Sequence, residues 1–111
     1  MSAAHHALDN LCAVIDRNSL QIDGSTEKVM SLEPLAEKWK SFGWNVISCD
    51  GHDFKEILTS FNKGISCKGK PTVIIARTIM GKGISSIEGD YRWHGKAPTL
   101  EQSVKFIGEI G

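Results

Sequence analysis

Leu11-Cys-Ala-Val-Ile15, running into Asp16-Arg-Asn-Ser-Leu-Gln-Ile-Asp-Gly24, decides how this chain is read. Five apolar residues make a short strand pattern, and the sequence then turns abruptly polar. Asn18 stands where the carboxyl end of that strand opens into a loop. In parallel α/β sheets ligands bind at that end. Two readings of Asn18 stand side by side. Asn tolerates the left-handed region and bonds its own backbone, so it can cap a turn. Its side-chain carbonyl, with the backbone carbonyls of the following residues, also suits a hard cation such as Mg²⁺, completed by water and phosphate oxygens.

Outward from this stretch the chain alternates strands and helices. Ala3–Leu8 reads as the last turns of a helix, and residues 17–30 as a polar loop. A helix is expected to start at Ser31 as N-cap, with Met30 and Leu35 as a hydrophobic staple. Its apolar face is Leu32, Leu35, Ala36 and Trp39, and Gly43 ends it. Trp44–Cys49 is the second strand. Asp50-Gly-His-Asp53 is a turn, with Asp53 and Glu56 forming a capping box. Phe54, Ile57, Leu58 and Phe61 are expected as the buried face of the next helix, which stops by Gly64. Lys68–Pro71 is a solvated basic turn. Thr72–Thr78 is the third strand, and its unbroken run Val73-Ile74-Ile75-Ala76 indicates burial on both faces. Thr99 and Gln102 cap a final helix whose Leu100, Val104 and Ile107 face inward.

This alternation predicts a three-layer α/β/α arrangement around a parallel sheet with right-handed crossovers. The most apolar strand should be the most covered, which gives the order 1-3-2 and leaves the first strand at an edge. Trp39 and Trp44 are expected in the core, and His52 at a cap or the surface.

Composition bounds the partners. The chain has 111 residues, 41% apolar and 23% charged, the profile of one ordinary globular domain. Thirteen acidic and thirteen basic residues cancel, so no electrostatic footprint for nucleic acid or an acidic membrane is present. No apolar run approaches the ~20 residues of a membrane span. Cys12, Cys49 and Cys67 are an odd set without Cys-x-x-Cys spacing, two of them in strands where a thiol is usually buried. They suggest a reducing, cytoplasmic setting. Met1–Asn10 carries two histidines and an aspartate and does not read as a signal peptide.

Two further constellations mark Gly81–Pro98, an irregular stretch longer than the ~12–15 residues that unstructured loops usually reach. Trp93-His94-Gly-Lys-Ala-Pro98 contains a histidine, structural in most loops but also the side chain best suited to proton transfer near neutral pH. Met80-Gly-Lys-Gly83 is a short glycine-flanked lysine of the kind that approaches phosphates.

Asp16–Gly24 resembles the second half of the thiamine diphosphate signature of transketolases, most closely the N-terminal section of split members. The Trp93–Pro98 run resembles the family's as well, and the two anchors lie 76 residues apart in the expected order. The resemblance extends from Ala3 to about Ile107. It implies a partial thiamine diphosphate-binding fold, the C-terminal half of that domain over residues 1–111. It further implies that Asn18 and the carbonyl of Leu20 hold a Mg²⁺ ion (or Ca²⁺ or Mn²⁺) that carries the diphosphate. Ile22 would pack near the thiazolium ring. His94 would be catalytic, contacting the diphosphate and the substrate end of the site. Asp16 is read as a brace for the loop. The family's Gly-Asp-Gly half of the signature is not among the residues before Asn18; in a complete domain its strand would cover the first strand's open edge. Met1 is accordingly read as an internal methionine of a truncated piece, with His5 and His6 solvated or capping. Many relatives carry Lys at the position of Met80, and Lys82 is the candidate to replace it.

The implied activity is transfer of a two-carbon ketol unit between sugar phosphates, with the piece inactive alone. The implied partners are a pyrimidine-binding transketolase section or second subunit, and a homodimer in the full form. Two other readings remain: a noncatalytic interaction module retaining half of the fold, and a flavodoxin-like binder using Asp16 and Asp50 at strand ends.

Overall fold

The computed structural model describes residues 1–110. They form two compact units. Met1–Arg17 with Leu32–Thr78 make the first, and Asn18–Ser31 with the chain from Ile79 onward make the second.

The first unit is built on three parallel strands, β1 (Cys12–Arg17), β4 (Asn45–Asp50) and β5 (Thr72–Arg77), in the order β1-β5-β4. The strands run in register, Arg17 beside Arg77 and Asp50 beside Arg77, so their carboxyl ends share one edge. The expected 1-3-2 order is therefore the observed one. The reason lies in the side chains: Thr72, Val73, Ile74 and Ile75 are all buried, which only a central strand covered on both faces allows. β1 is an edge and alternates exposed and half-buried residues. Cys49 is buried as expected, but Cys12 is exposed, because it lies on that open edge. Its thiol is nonetheless pushed up by partial desolvation.

Three helices accompany these strands. α1 (Ser2–His5) is one turn long. α3 (Leu35–Ser41) begins four residues later than Ser31, with Pro34 as N-cap. A residue before proline is pushed out of the α region, so Glu33 cannot continue a helix from Ser31. Glu33 instead accepts the N–H of Leu35 (2.9 Å) and binds Arg17 at the end of β1 (3.0 Å). Trp39 and Trp44 meet edge to face at 4.8 Å, both half-buried. α4 (Phe54–Ser66) is capped by Asp53, whose carboxylate accepts from Lys55 N–H (2.7 Å) and Glu56 N–H (3.1 Å). The Glu56 carboxylate closes no box on Asp53; it takes the N–H of Asp50 (2.7 Å).

Two expectations for α4 fail. The helix runs through Gly64 to Ser66, because Gly64 is buried where a Cβ would sit 3.2 Å from Thr72, so its small size serves packing. Phe54, Leu58 and Phe61 are not the buried face: they are 82%, 64% and 38% exposed. The sheet-facing positions are Ser60 and Gly64, with Ile57 half-buried. Small residues there let the helix lie close to the sheet, and the larger apolar side chains are left on its flank.

In the second unit the polar loop is not irregular. Leu20–Gln21 (β2) and Gly24–Ser25 (β3) form an antiparallel ribbon, followed by the turn of helix α2 (Thr26–Val29). Tyr91–Trp93 is a 3₁₀ turn, and α5 spans Leu100–Ile110. The expected box is present: Thr99 Oγ1 accepts the N–H of Gln102 (3.2 Å), and Gln102 Oε1 accepts that of Thr99 (2.9 Å). The inward face, however, is Phe106 and not Leu100, Val104 and Ile107, which are 85%, 68% and 69% exposed. Phe106 packs edge to face on Trp93 at 5.6 Å and fixes the rotation of the helix.

Candidate functional site

Asn18 is the first residue of the second unit and follows β1 directly. Its Oδ1 accepts the N–H of Leu20 at 2.9 Å, across Ser19 in the left-handed region (φ 65°). The local fold explains the geometry. Ser19 accepts the N–H of Thr26 (2.9 Å), and Gln21 faces Gly24. Antiparallel pairs alternate between hydrogen-bonded and non-bonded, so Leu20, between them, turns its N–H and C=O away from β3. The Asn18 amide oxygen and the Leu20 carbonyl therefore lie on one outer side of the ribbon. A carboxamide oxygen has two lone pairs, and the Leu20 N–H uses one.

These two oxygens suit a hard cation, although a Mg²⁺ ion takes six. Among the described residues no cluster of three or more His, Cys, Asp or Glu forms a metal cage. The donor set thus fits a metal shared with phosphate and water, and does not fit an all-protein site. Ile22 lies in the turn joining the two strands of the ribbon and is 64% exposed. Asp16 does not brace this loop; it accepts the hydroxyl of Thr78 in the first unit. Asp50 does brace its turn, accepting the N–H of His52 (2.8 Å).

β3 packs beside the Tyr91–Trp93 turn, so the Asn18 ribbon and the His94 loop are neighbours in one unit. The turn is tied at its start. Asp90 accepts the backbone N–H of Arg92 (3.0 Å) and clamps its guanidinium at 2.8 Å. The hydrogen bonds from Arg92 hold the Asp90 carboxyl below its ordinary range. At the other end Trp93 rests on Phe106, and His94 caps the turn, its N–H on the Tyr91 carbonyl (2.9 Å). The His94 side chain is exposed, and its ring makes no hydrogen bond among the described residues. An anchored backbone thus presents an uncommitted imidazole.

Met80 and Lys82 have different fates. Met80 lines a cavity of about 300 Å³ with Ile84, Ile87, Trp93 and Phe106. Lys82 is paired to Glu88 (3.4 Å) inside the same loop, so its ammonium is engaged there. Gly81 has φ 71°, and a Cβ on it would meet Ile87 at 2.9 Å. Its conformation serves loop packing.

Sequence reasoning missed Gln21. Its Nε2 is buried with no hydrogen-bond partner among the described residues, which is rare for a buried donor. Period-2 alternation puts it on the ribbon face opposite Leu20, a signal visible only once the strand was known.

The comparisons with known proteins bear on family and fold. The model of the transketolase thiamine diphosphate-binding domain matches residues 1–109. The chain belongs to this family. It is 42% identical over 99% of its length to an apulose-4-phosphate transketolase subunit of Phocaeicola vulgatus, and 41% identical over 99% to the 6-deoxy-6-sulfo-D-fructose transketolase subunit SqwG of a Clostridium species. It spans only 39% and 40% of those two relatives. The crystal structure of the Campylobacter jejuni transketolase superposes with a TM-score of 0.77 at 31% identity, over 82% of this chain and 14% of that one. This transketolase-family chain thus has the family's mixed α/β fold with its parallel sheet.

Proposed function

We propose that this chain is the C-terminal half of a transketolase-type thiamine diphosphate-binding domain, serving two-carbon ketol transfer between sugar phosphates. The observation that carries the reading is that Asn18 Oδ1, bonded to the N–H of Leu20, lies on the same outer side of the ribbon as the Leu20 carbonyl, in a unit where β3 packs beside the turn that His94 caps. Asn18 and Leu20 bind the metal, adding two oxygens without adding charge. Ile22 supplies exposed apolar surface for the cofactor ring. His94, held only through its backbone, reaches the diphosphate and the substrate end, where an imidazole can take or give a proton. When bound, thiamine diphosphate supplies the carbanion chemistry, and the protein orients it and moves protons.

The chain spans under half the length of the two bacterial relatives. The active assembly therefore contains further family sections, among them a pyrimidine-binding one, and forms a dimer in a cytoplasmic setting. The chain by itself is inactive. The test is reconstitution. The chain, co-expressed with the complementary sections of the Phocaeicola vulgatus system, should transfer a ketol unit from a ketose phosphate to an aldose phosphate. Transfer should require thiamine diphosphate and Mg²⁺. A reconstituted assembly that binds neither would refute the reading.

A further inference from the structure

The loop after β5 and helix α5 enclose a cavity that the candidate site does not use. Met80, Ile84 and Ile87 line it from the loop, Trp93 and Phe106 from the 3₁₀ turn and α5, and its volume is about 300 Å³. These walls are pinned. The Met80 carbonyl accepts the N–H of Gly89 (2.9 Å), which closes the loop on itself. The N–H and hydroxyl of Ser85 both donate to the Glu109 carboxylate on α5 (2.7 and 2.8 Å). Trp93 rests on the buried Phe106. The cavity is therefore formed in advance, as small-molecule sites usually are.

Its lining decides what fits. The five side chains are apolar, and the indole N–H of Trp93 is the single hydrogen-bonding group they offer. A buried water needs about two to four polar partners, and apolar cavities take apolar guests instead. One charged residue borders the cavity, Lys96. Its neighbouring acids are engaged elsewhere: Asp90 is clamped by Arg92 (2.8 Å), Glu88 faces Lys82 (3.4 Å), and Glu109 takes Ser85. The Lys96 ammonium has no carboxylate partner among the described residues. An apolar chamber thus opens beside one uncompensated cation.

We propose that this cavity binds a small amphipathic carboxylate, its alkyl or aryl tail between Met80, Ile84, Ile87, Trp93 and Phe106 and its carboxylate on Lys96. The tail gains by leaving water, and the charge pairs with an ammonium that lacks a partner. None of Asn18, Leu20, Ile22 and His94 lines the cavity, so the inference stands apart from the ketol-transfer reading and its test uses neither cofactor nor sugar.

The probe is octanoate, titrated into the isotope-labelled 111-residue chain and followed by its amide resonances. Saturable shifts should map to Ile84, Ile87 and Trp93. Octanol has the same tail without the charge and should bind about tenfold more weakly, the scale of one charge-assisted contact. Lys96→Met should bring octanoate down to the octanol level and leave octanol unchanged. Lys96 is exposed, so this variant should keep the wild-type spectrum and melting curve. Absence of saturable shifts, shifts confined to the exposed apolar flanks of α4 and α5, equal affinity for octanoate and octanol, or wild-type octanoate binding by Lys96→Met would each overturn the proposal. So would a dimer of this chain that octanoate dissolves, since a second copy would then be the occupant.

Discussion

The Oδ1 of Asn18 accepts the N–H of Leu20 at 2.9 Å, and the same residue that donates this bond turns its carbonyl to the same side. Under the proposed function, turn cap and oxygen donor are two uses of one carboxamide. The bond closes the turn on the side to which strand alternation turns the Leu20 carbonyl.

Roles should divide between Asn18 and His94. In a reconstituted assembly, His94→Ala should lower turnover and sugar phosphate affinity while metal-dependent cofactor binding persists, because Asn18 and Leu20 remain. Steady-state kinetics beside cofactor titration reads the difference. Equal loss of metal-dependent binding in His94→Ala and Asn18→Ala would contradict the division.

The centre of the sheet should be costly to disturb. Ile75 lies on the central strand and is 6% exposed. Ile75→Ala should destabilise the chain by ~2–5 kcal/mol, as for other large-to-small core changes. Denaturant unfolding measures this, and a loss well below ~1 kcal/mol would speak against a packed β5.

Gly81 should resist substitution for a reason unrelated to phosphate. Ala at φ 71°, with its Cβ 2.9 Å from Ile87, should cost about 1–3 kcal/mol in the second unit. Gly83→Ala, where no atom lies within 4 Å of a Cβ, should carry backbone strain alone. A thermal melt in which Gly83→Ala is the more damaging would refute this packing account.

The Tyr91–Trp93 turn should tolerate acid. Hydrogen bonds from Arg92 lower the Asp90 pKa from 3.8. A depressed carboxylate contributes stability above its unfolded pKa and loses it as pH falls through the folded value. The turn should therefore keep this support above the ordinary aspartate value and lose it progressively as pH falls from there through the lower folded value. The Asp90 carboxyl carbon resonance should titrate below 3.8, and Arg92→Leu should return it toward that value. A midpoint at or above the ordinary value in the wild type would contradict the clamp.

Much of this fold was legible because it is written in patterns that outlast context. The run Val73–Ala76 announced a central strand, and Thr99 with Gln102 announced a cap. The orientation of α4 and α5 was not legible. Both carry apolar residues on more than one side, and which side is buried depends on neighbours. Gly64 and Ser60 won the sheet for α4, and Phe106 won Trp93 for α5. The β2–β3 ribbon escaped notice because two-residue strands leave no periodicity to read. The proposed roles of Asn18 and His94 rest on family resemblance; their chemistry alone leaves the bland roles open.

The most direct test of the central claim is a Mg²⁺ titration of thiamine diphosphate binding by the reconstituted assembly, followed by calorimetry, in wild type and Asn18→Ala. The account predicts saturable, Mg²⁺-dependent binding in the wild type. Asn18→Ala should need about 10–100-fold more Mg²⁺, the scale on which metal sites respond to loss of a supporting group. Identical Mg²⁺ dependence in the two proteins would contradict the account.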